Sequence, residues 1–387
     1  MKRPRLIPLL LLFLALTFLV PAQLTAASAA APKSVVLIDG QTYHAFLPVS
    51  ALKGDPETSL LWNESEKSFE ITDTRNRVKV FVGQTFAEVN DATVTLTDAP
   101  FRGNGTTYVP LQFLSEHLGY TLVWKRNPTA LTLSRDGDSF KITLPAVKRS
   151  SLSSTASPIV SARKAFKVGN KYFSVKMITI SLAHPNVHLD VVMAGNQKGK
   201  VESLSSIAKR SKAIVAINGS YFDAYTKNSY KTPYGYIVSG GKLQMIASGD
   251  RRTVFTYNHN LLAGMIPGTK FNDLFAEGDL EGALQAGPRL VTDGKVALNL
   301  RGEGFRDPKI LKGGSTRSAI GLTRDNKLIL LTTKKATMPQ LAQIMRQAGA
   351  YQAMNLDGGA SSGLYYNGKY LTTPGRKISN ALVVKYQ

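Results

Sequence analysis

The chain has 387 residues, 48 Lys and Arg against 26 Asp and Glu, and a net charge of +22. That length exceeds one ordinary domain, so two are expected. It contains no cysteine, which excludes a disulfide framework and any thiolate metal site and leaves stability to packed cores.

Residues 1–31 read as an export signal. Lys2, Arg3 and Arg5 precede an apolar run over 6–20, and Ala27-Ser28-Ala29 or Ala29-Ala30-Ala31 would fit a signal peptidase. The run is short for a membrane span. The expected product is secreted or held at the cell envelope, with no stable membrane insertion after cleavage.

Residues 33–145 contain an internal repeat at an offset of 62. Leu47-Pro48-Val49 returns as Val109-Pro110-Leu111, Leu60-Leu61-Trp62-Asn63 as Leu122-Val123-Trp124-Lys125, and Phe69 and Ile71 as Leu131 and Leu133. Each copy predicts a short helix opened by Pro, then a Trp-bearing strand, a turn and an alternating strand. Further strands are expected over 78–82 and 92–96. Alternating apolar positions of this kind form cores, and the isolated His44 and His117 lack metal-ligand spacing. The run from Val89-Asn90-Asp91 through Gly103-Asn104-Gly105-Thr106-Thr107-Tyr108-Val109-Pro110-Leu111 to Val123-Trp124 resembles the copper amine oxidase N-terminal-like domain, a stalk module common in exported proteins of Gram-positive bacteria. The resemblance implies a non-catalytic spacer or attachment module, and the family's name does not imply copper. The first copy departs from it around Lys53-Gly54-Asp55-Pro56, where the helix is shortened.

Residues 146–165 are polar, Ser-rich and basic, and predict a mobile linker. The charge divides here: residues 33–145 carry 11 basic and 13 acidic side chains, residues 146–387 carry 34 and 13. The basic part should attract polyanions. No nucleic-acid motif accompanies it, so the expected partner is an anionic wall polymer or anionic lipid; solubility alone is the competing reading.

From 166 onward strands are expected over 175–182, 187–192, 213–217, 233–238 and 327–332, with helices over 201–211 and 339–349. Four polar loops with nearby Gly lie at strand ends: 218–223, 285–289, 316–318 and 357–362. Loops so placed build sites in open sheets. Their convergence would unite Asn218, Asp223, Gln285, Arg317, Asp357, Ser361 and Ser362. A guanidinium matches a pair of phosphate or carboxylate oxygens, and Asp357 suits a nucleophile or general base. Glycoside chemistry then asks for a second carboxylate, with Asp223, Glu303 and Asp307 as candidates. The plain alternative is a set of solvated loops in which Asp357 merely ends its strand in an Asx turn. A Ser–His mechanism lacks a His in any of these loops, and no zinc motif is present.

Asn218-Gly219-Ser220-Tyr221-Phe222, Gly287-Pro288-Arg289-Leu290 with Asp293-Gly294, Arg317-Ser318-Ala319-Ile320-Gly321, Asn355-Leu356-Asp357-Gly358-Gly359-Ala360-Ser361-Ser362 and Arg376…Asn380-Ala381-Leu382 together resemble the phosphodiester glycosidase family. Two departures stand out: Ala360 replaces a third Gly, and Thr332-Thr333-Lys334-Lys335 stands where the family often has Asp-Gly. The resemblance implies hydrolysis of a sugar-1-phosphodiester bond, on a sugar phosphate or anionic cell-wall glycopolymer; no cofactor and no metal site are expected from the sequence. It implies Asp357 and Arg317 as catalytic groups with Asp223 or Glu303. Asn218, Gly219, Tyr221, Phe222, Gln285, Gly287, Pro288, Gly358, Gly359, Ser361, Ser362, Arg376 and Asn380 would bind substrate. The expected fold class is α+β: a small two-copy repeat domain over 33–145, then a larger mixed α/β domain over 166–387 with its site in strand-end loops. The competing functional class is a non-catalytic envelope module that binds anionic wall polysaccharide.

Overall fold

The 62-residue offset in the sequence becomes a pseudo-twofold axis in space. In the computed structural model, which describes residues 33–135, 137, 139–151, 157–249 and 251–387, strand Ala45–Pro48 pairs antiparallel with strand Thr106–Pro110. Leu47 sits opposite Val109, Phe46 opposite Pro110 and Pro48 opposite Tyr108, so each residue faces its own repeat equivalent or the mirror of the next pair. The same symmetry brings polar equivalents together. Thr58 Oγ1 lies 3.0 Å from the Tyr120 hydroxyl, and Arg135 Nη1 lies 2.9 Å from Asp73 Oδ2. The proposed signal peptide lies outside the described residues.

The copies differ where the sequence said they would. The second has a helix, Leu111–Leu118, stopped by Gly119 at φ 66°; the first has only a 3-10 helix, Val49–Gly54. Pro56 biases Asp55 away from helical backbone, and the Asp55 carboxylate accepts from the Glu57 amide and the Thr58 hydroxyl to make a turn. Two sheets result. One is seven-stranded and includes a parallel pair, Val36–Ile38 with Phe140–Lys148; the other is a five-stranded meander over Ser59–Asn63 to Ala92–Thr95. Leu47, Leu52, Ile71, Val109, Leu114, Leu131 and Leu133 are fully buried between them. Trp124, by contrast, is exposed.

The expected linker is mostly strand. Residues 146–148 belong to Phe140–Lys148, and Ile159–Val168 pairs along its whole length with Lys171–Ser181; residues 152–156 lie outside the described residues. The composition suggested disorder because few large apolar residues are present. Ten successive ladder pairs and the Gly169-Asn170 turn override that weak preference. Nor is the first domain merely tethered. Lys33 Nζ donates to the carbonyls of Leu182 (3.0 Å), Val187 (2.6 Å) and His184. The Ser34 amide donates to Asn260 Oδ1 at 2.8 Å. Val35, Phe46, Tyr108 and Val147 bury together with Ala183.

The larger domain is also mostly β, which corrects the α+β expectation. Three sheets carry it. The first runs Ile159–Val168, Lys171–Ser181, Lys327–Ala336, Ser315–Leu322, Gln352–Asn355, Arg289–Thr292, Lys295–Val296. The second runs Val187–Met193, Asn380–Tyr386, Val215–Asn218, Leu364–Tyr366, Lys369–Thr372, and the third Lys242–Met245, Ile237–Ser239, Leu280–Gln285, Thr253–Asn258, Ala263–Pro267. Their inner faces close on one core of Ile178, Val191, Ile217, Phe255, Leu284, Ile320, Leu330 and Leu382. Helices cover outer faces only. Met338–Gln347 starts with a capping box, in which Thr337 and Gln340 bond reciprocally, and buries Leu341, Ile344 and Met345 on the first sheet. Leu204–Arg210 covers the second with Leu204 and Ile207. The sequence overstated helix because these two amphipathic runs are its clearest periodic signals, whereas the hairpins of the third sheet are short.

Candidate active site

Strands Ser315–Leu322 and Gln352–Asn355 are antiparallel neighbours, with Ala319 opposite Asn355. The start of the first therefore lies beside the end of the second, and this register brings Arg317 and Asp357 to one cleft of about 550 Å³. Arg317 stands within its strand, near the start, rather than on a loop.

Asp357 sits at the cleft floor. Burial pushes its carboxyl up to about 6, although the Ser361 hydroxyl, the charge of Arg376 and the Gly358 amide all favour the ionised form. Arg317 is 1% exposed. Its Nε donates to the Ala336 carbonyl at 3.0 Å, and its Nη2 donates to the carbonyls of Lys309 and Gly313 at 2.7 Å each. Nη1 is left beside Gly358, where an added Cβ would stand 3.5 Å from it. Among the described residues no carboxylate forms an ion pair with Arg317, and burial lowers its pKa. A guanidinium held by neutral carbonyls and opening on a cleft is an unneutralised buried cation, which favours an anionic ligand.

Tyr221 and Phe222 line the cleft, as expected. The Tyr221 hydroxyl donates to the Gly287 carbonyl at 2.9 Å and accepts from Asn355 Nδ2 at 2.8 Å, and burial raises its pKa. Its ring packs edge-on against Phe305, and Arg252 lies over both rings. Gly358, Gly359, Ser361 and Arg376 are also on the wall. Arg376 donates to the Tyr225 hydroxyl at 2.9 Å and lies 4.7 Å over its ring.

Several expected ligands are clamps instead. Asn218 Nδ2 donates to the Asp357 carbonyl at 2.7 Å, and its Oδ1 accepts from Ser318 Oγ and the Gly363 amide. Both polar atoms of this side chain are engaged and it is 1% exposed, so it positions the Asp357 turn. Gln285 bridges the Tyr236 amide and the Arg252 carbonyl. Asn380 holds the Ser220 amide and hydroxyl. Ser362 donates to the Thr316 carbonyl, and the Gly287 and Pro288 carbonyls receive Asn355. Gly219 is tight rather than open: a Cβ there would meet Asn380 Oδ1 at 2.0 Å. Gly219→Ala should therefore break the Asn380 clamp and destabilise by about 1–3 kcal/mol, read as a lowered midpoint of urea unfolding.

Of the three candidate partner carboxylates, Asp223 and Glu303 do not line the cleft and Asp307 does. Asp223 accepts from the Thr226 amide in its own loop. Glu303 accepts from Thr253 N and Oγ1 and from the Arg289 amide, beside a separate cavity of about 360 Å³. Asp307 is the second carboxylate on the cleft wall; its Oδ1 caps helix Pro308–Leu311 by accepting from the Lys309 amide at 2.8 Å. Sequence reasoning missed Arg252, Tyr225, Phe305 and Lys309 as lining groups. Only the Glu303–Asp307 segment hinted at one of them, Phe305. Among the described residues no three acidic, His or Cys side chains converge to hold a metal.

A raised carboxyl, a guanidinium in no ion pair among the described residues and a wall of aromatic rings thus share one cleft. Residues 211–385 match the phosphodiester glycosidase family. Residues 28–133 match the copper amine oxidase N-terminal domain. The fold is similar to that of a hypothetical protein from Synechocystis (16% identity, 92% of this chain and 99% of the other, TM-score 0.53). It is also similar to the catalytic domain of zebrafish N-acetylglucosamine-1-phosphodiester alpha-N-acetylglucosaminidase, solved in a form auto-inhibited by its pro-peptide (21% identity, 60% of this chain and 85% of the other, TM-score 0.51). A comparison with curated proteins found no match.

Proposed function

We propose that the cleft hydrolyses the bond between a sugar anomeric carbon and a phosphodiester, GlcNAc-1-phosphodiester being the first candidate. The observation that carries this reading is that the Arg317 guanidinium, in no ion pair among the described residues, and the raised carboxyl of Asp357 line one cleft. Arg317 Nη1 takes a phosphate oxygen. Asp357 accepts a proton from water as its oxygen bonds to the anomeric carbon. The C1–O bond breaks, and the electron pair leaves on a phosphate monoester. That leaving group is a stable anion whose second pKa is about 6, so the cation supplies what a general acid supplies to an alcohol leaving group. The absence of Asp223 and Glu303 from the cleft then presents no difficulty, and Asp307 stands at the cleft wall. The basic charge of residues 146–387 and the N-terminal signal-like segment support an anionic envelope glycopolymer as the setting.

The test is release of free GlcNAc from UDP-GlcNAc and from a GlcNAc-α-phosphodiester by residues 33–387, with and without EDTA. Arg317→Ala should lower kcat/KM by about a hundredfold or more, the usual cost of one oriented charge-stabilising donor, and Arg317→Lys should recover part of it. Normal turnover by a folded Arg317→Ala protein would sink the phosphate assignment. Tight retention of the diester with no free sugar would favour the binding-module reading.

A further inference from the structure

The cleft continues past the Asp357 turn. Ser315, Gly359 and Ala360 line both the cleft and a second depression of about 710 Å³. That depression shares Lys176, Thr316, Lys334 and Thr372 with a third of about 700 Å³. The three form one groove running from the turn across the first sheet. Strand register fixes part of its floor: Arg163 lies opposite Lys176, and Lys176 opposite Thr332.

Five cations line this extension, namely Arg163, Lys171, Lys176, Lys334 and Lys335, and no carboxylate lines it. None of the five is in an ion pair among the described residues. Arg163 directly opposite Lys176 is a like-charge cross-strand pair, which costs stability unless an anion neutralises it. Burial, with the charges of Arg163 and Lys334, lowers the Lys176 pKa. Hydroxyls accompany the cations: Thr332 and Thr372 lie 2.7 Å apart through their Oγ1 atoms. Tyr172, 71% exposed, stands in the third depression and offers a ring face to a sugar. The Thr332-Thr333-Lys334-Lys335 departure noted in the sequence lies in this groove.

We propose that the groove binds the successive repeats of a polymer carrying a phosphodiester in every repeat, so that the substrate is a chain of anionic units rather than a lone sugar phosphodiester. The identity of the bond cleaved rests on the glycosidase reading of the cleft; the binding does not. Ammonium groups such as those of Lys171, Lys176, Lys334 and Lys335 suit phosphates presented as point charges, and linked repeats add their affinities through a high effective concentration.

The experiment titrates residues 33–387 with a fluorescent ten-repeat poly(glycerol phosphate), with glycerol 3-phosphate and with a single-stranded oligonucleotide of equal charge, at low and high salt. The polymer should bind about fiftyfold or more tighter than the monomer, and its affinity should fall about tenfold as salt screens the groove. Lys334→Gln/Lys335→Gln should weaken polymer binding about fivefold to tenfold, while Lys53→Gln/Lys125→Gln, the same charge change on the first domain, should not. Thermal midpoints show that both variants fold. Equal binding of polymer and monomer, equal loss in both double variants, or tighter binding of the oligonucleotide would overturn the proposal. Polymer binding without GlcNAc release from any diester defeats the glycosidase reading and leaves the groove standing. GlcNAc release without groove binding does the reverse.

Discussion

Asp357→Asn should lower kcat on a GlcNAc-phosphodiester about a thousandfold, the scale of losing a positioned proton acceptor, while making the protein more stable at neutral pH. The two effects share one cause. Burial raises the Asp357 carboxyl to about 6, above its unfolded value of about 3.9. Between those values the folded state holds a proton that the unfolded state has lost. Stability from this group is therefore greatest below about pH 4 and is lost as pH rises to about 6, by about 2–3 kcal/mol in total. Asn cannot ionise and escapes that loss. Activity has the opposite slope: kcat/KM should climb about tenfold per pH unit below 6 and level off above, since the ionised carboxylate is the working form. Urea unfolding at pH 5 and pH 8, with a pH–rate profile of the parent, measures both. A less stable, inactive variant would make Asp357 a structural group, and a profile falling above pH 6 would make it an acid.

The motifs of the site were legible, but the direction of their side chains was not. Arg317 and Asp357 could be chosen from sequence because a strand boundary with Gly places a charge next to an open turn. Asn218, Gln285 and Asn380 carry the same signature and do something else. A cleft made where three sheets meet has carbonyls and amides with no ladder partner, and buried amides must satisfy them. Asn218 alone ties strand Val215–Asn218 to both Asp357 and Gly363. Nothing local separates a polar residue that faces substrate from one that holds up its neighbour. The second carboxylate stayed open among three candidates for a similar reason. Glu303 and Asp307 are four residues apart, and the Gly304 turn (φ 77°) sends one to Thr253 and the other to the cleft. Arg252 and Tyr225 come from loops without periodicity or motif, and only the tertiary fold brings them in. The repeat domain was read more fully because its information is local and given twice.

The other large effect is expected in that domain. Arg135→Met should destabilise the protein by about 3–5 kcal/mol, the usual result of removing one member of a buried ionic group. Arg135 is 3% exposed at its side chain and pairs with Asp55 at 3.1 Å and Asp73 at 2.9 Å, themselves 1% and 0% exposed. Its guanidinium also lies 4.4 Å over the Tyr120 ring. Without it two carboxylates share a dry site. In the parent, burial would raise the Asp55 carboxyl, but hydrogen bonds from Tyr120, the Glu57 amide and Thr58, with the Arg135 charge, hold it below the usual range. A depressed carboxyl contributes stability above its unfolded pKa of about 4, and that contribution is lost as pH falls through the folded value. The variant reverses the sign. Its unpaired carboxylates prefer protonation, so its deficit against the parent should be largest at pH 7 and should shrink toward pH 4. Adding Asp55→Asn and Asp73→Asn should recover at least half of the loss, because the damage comes from the stranded charges rather than the missing stem. A deficit that stays constant from pH 4 to pH 7 would mean that Arg135 works through packing and its stacking on Tyr120, and the pseudo-twofold axis would then be held by its apolar strands alone.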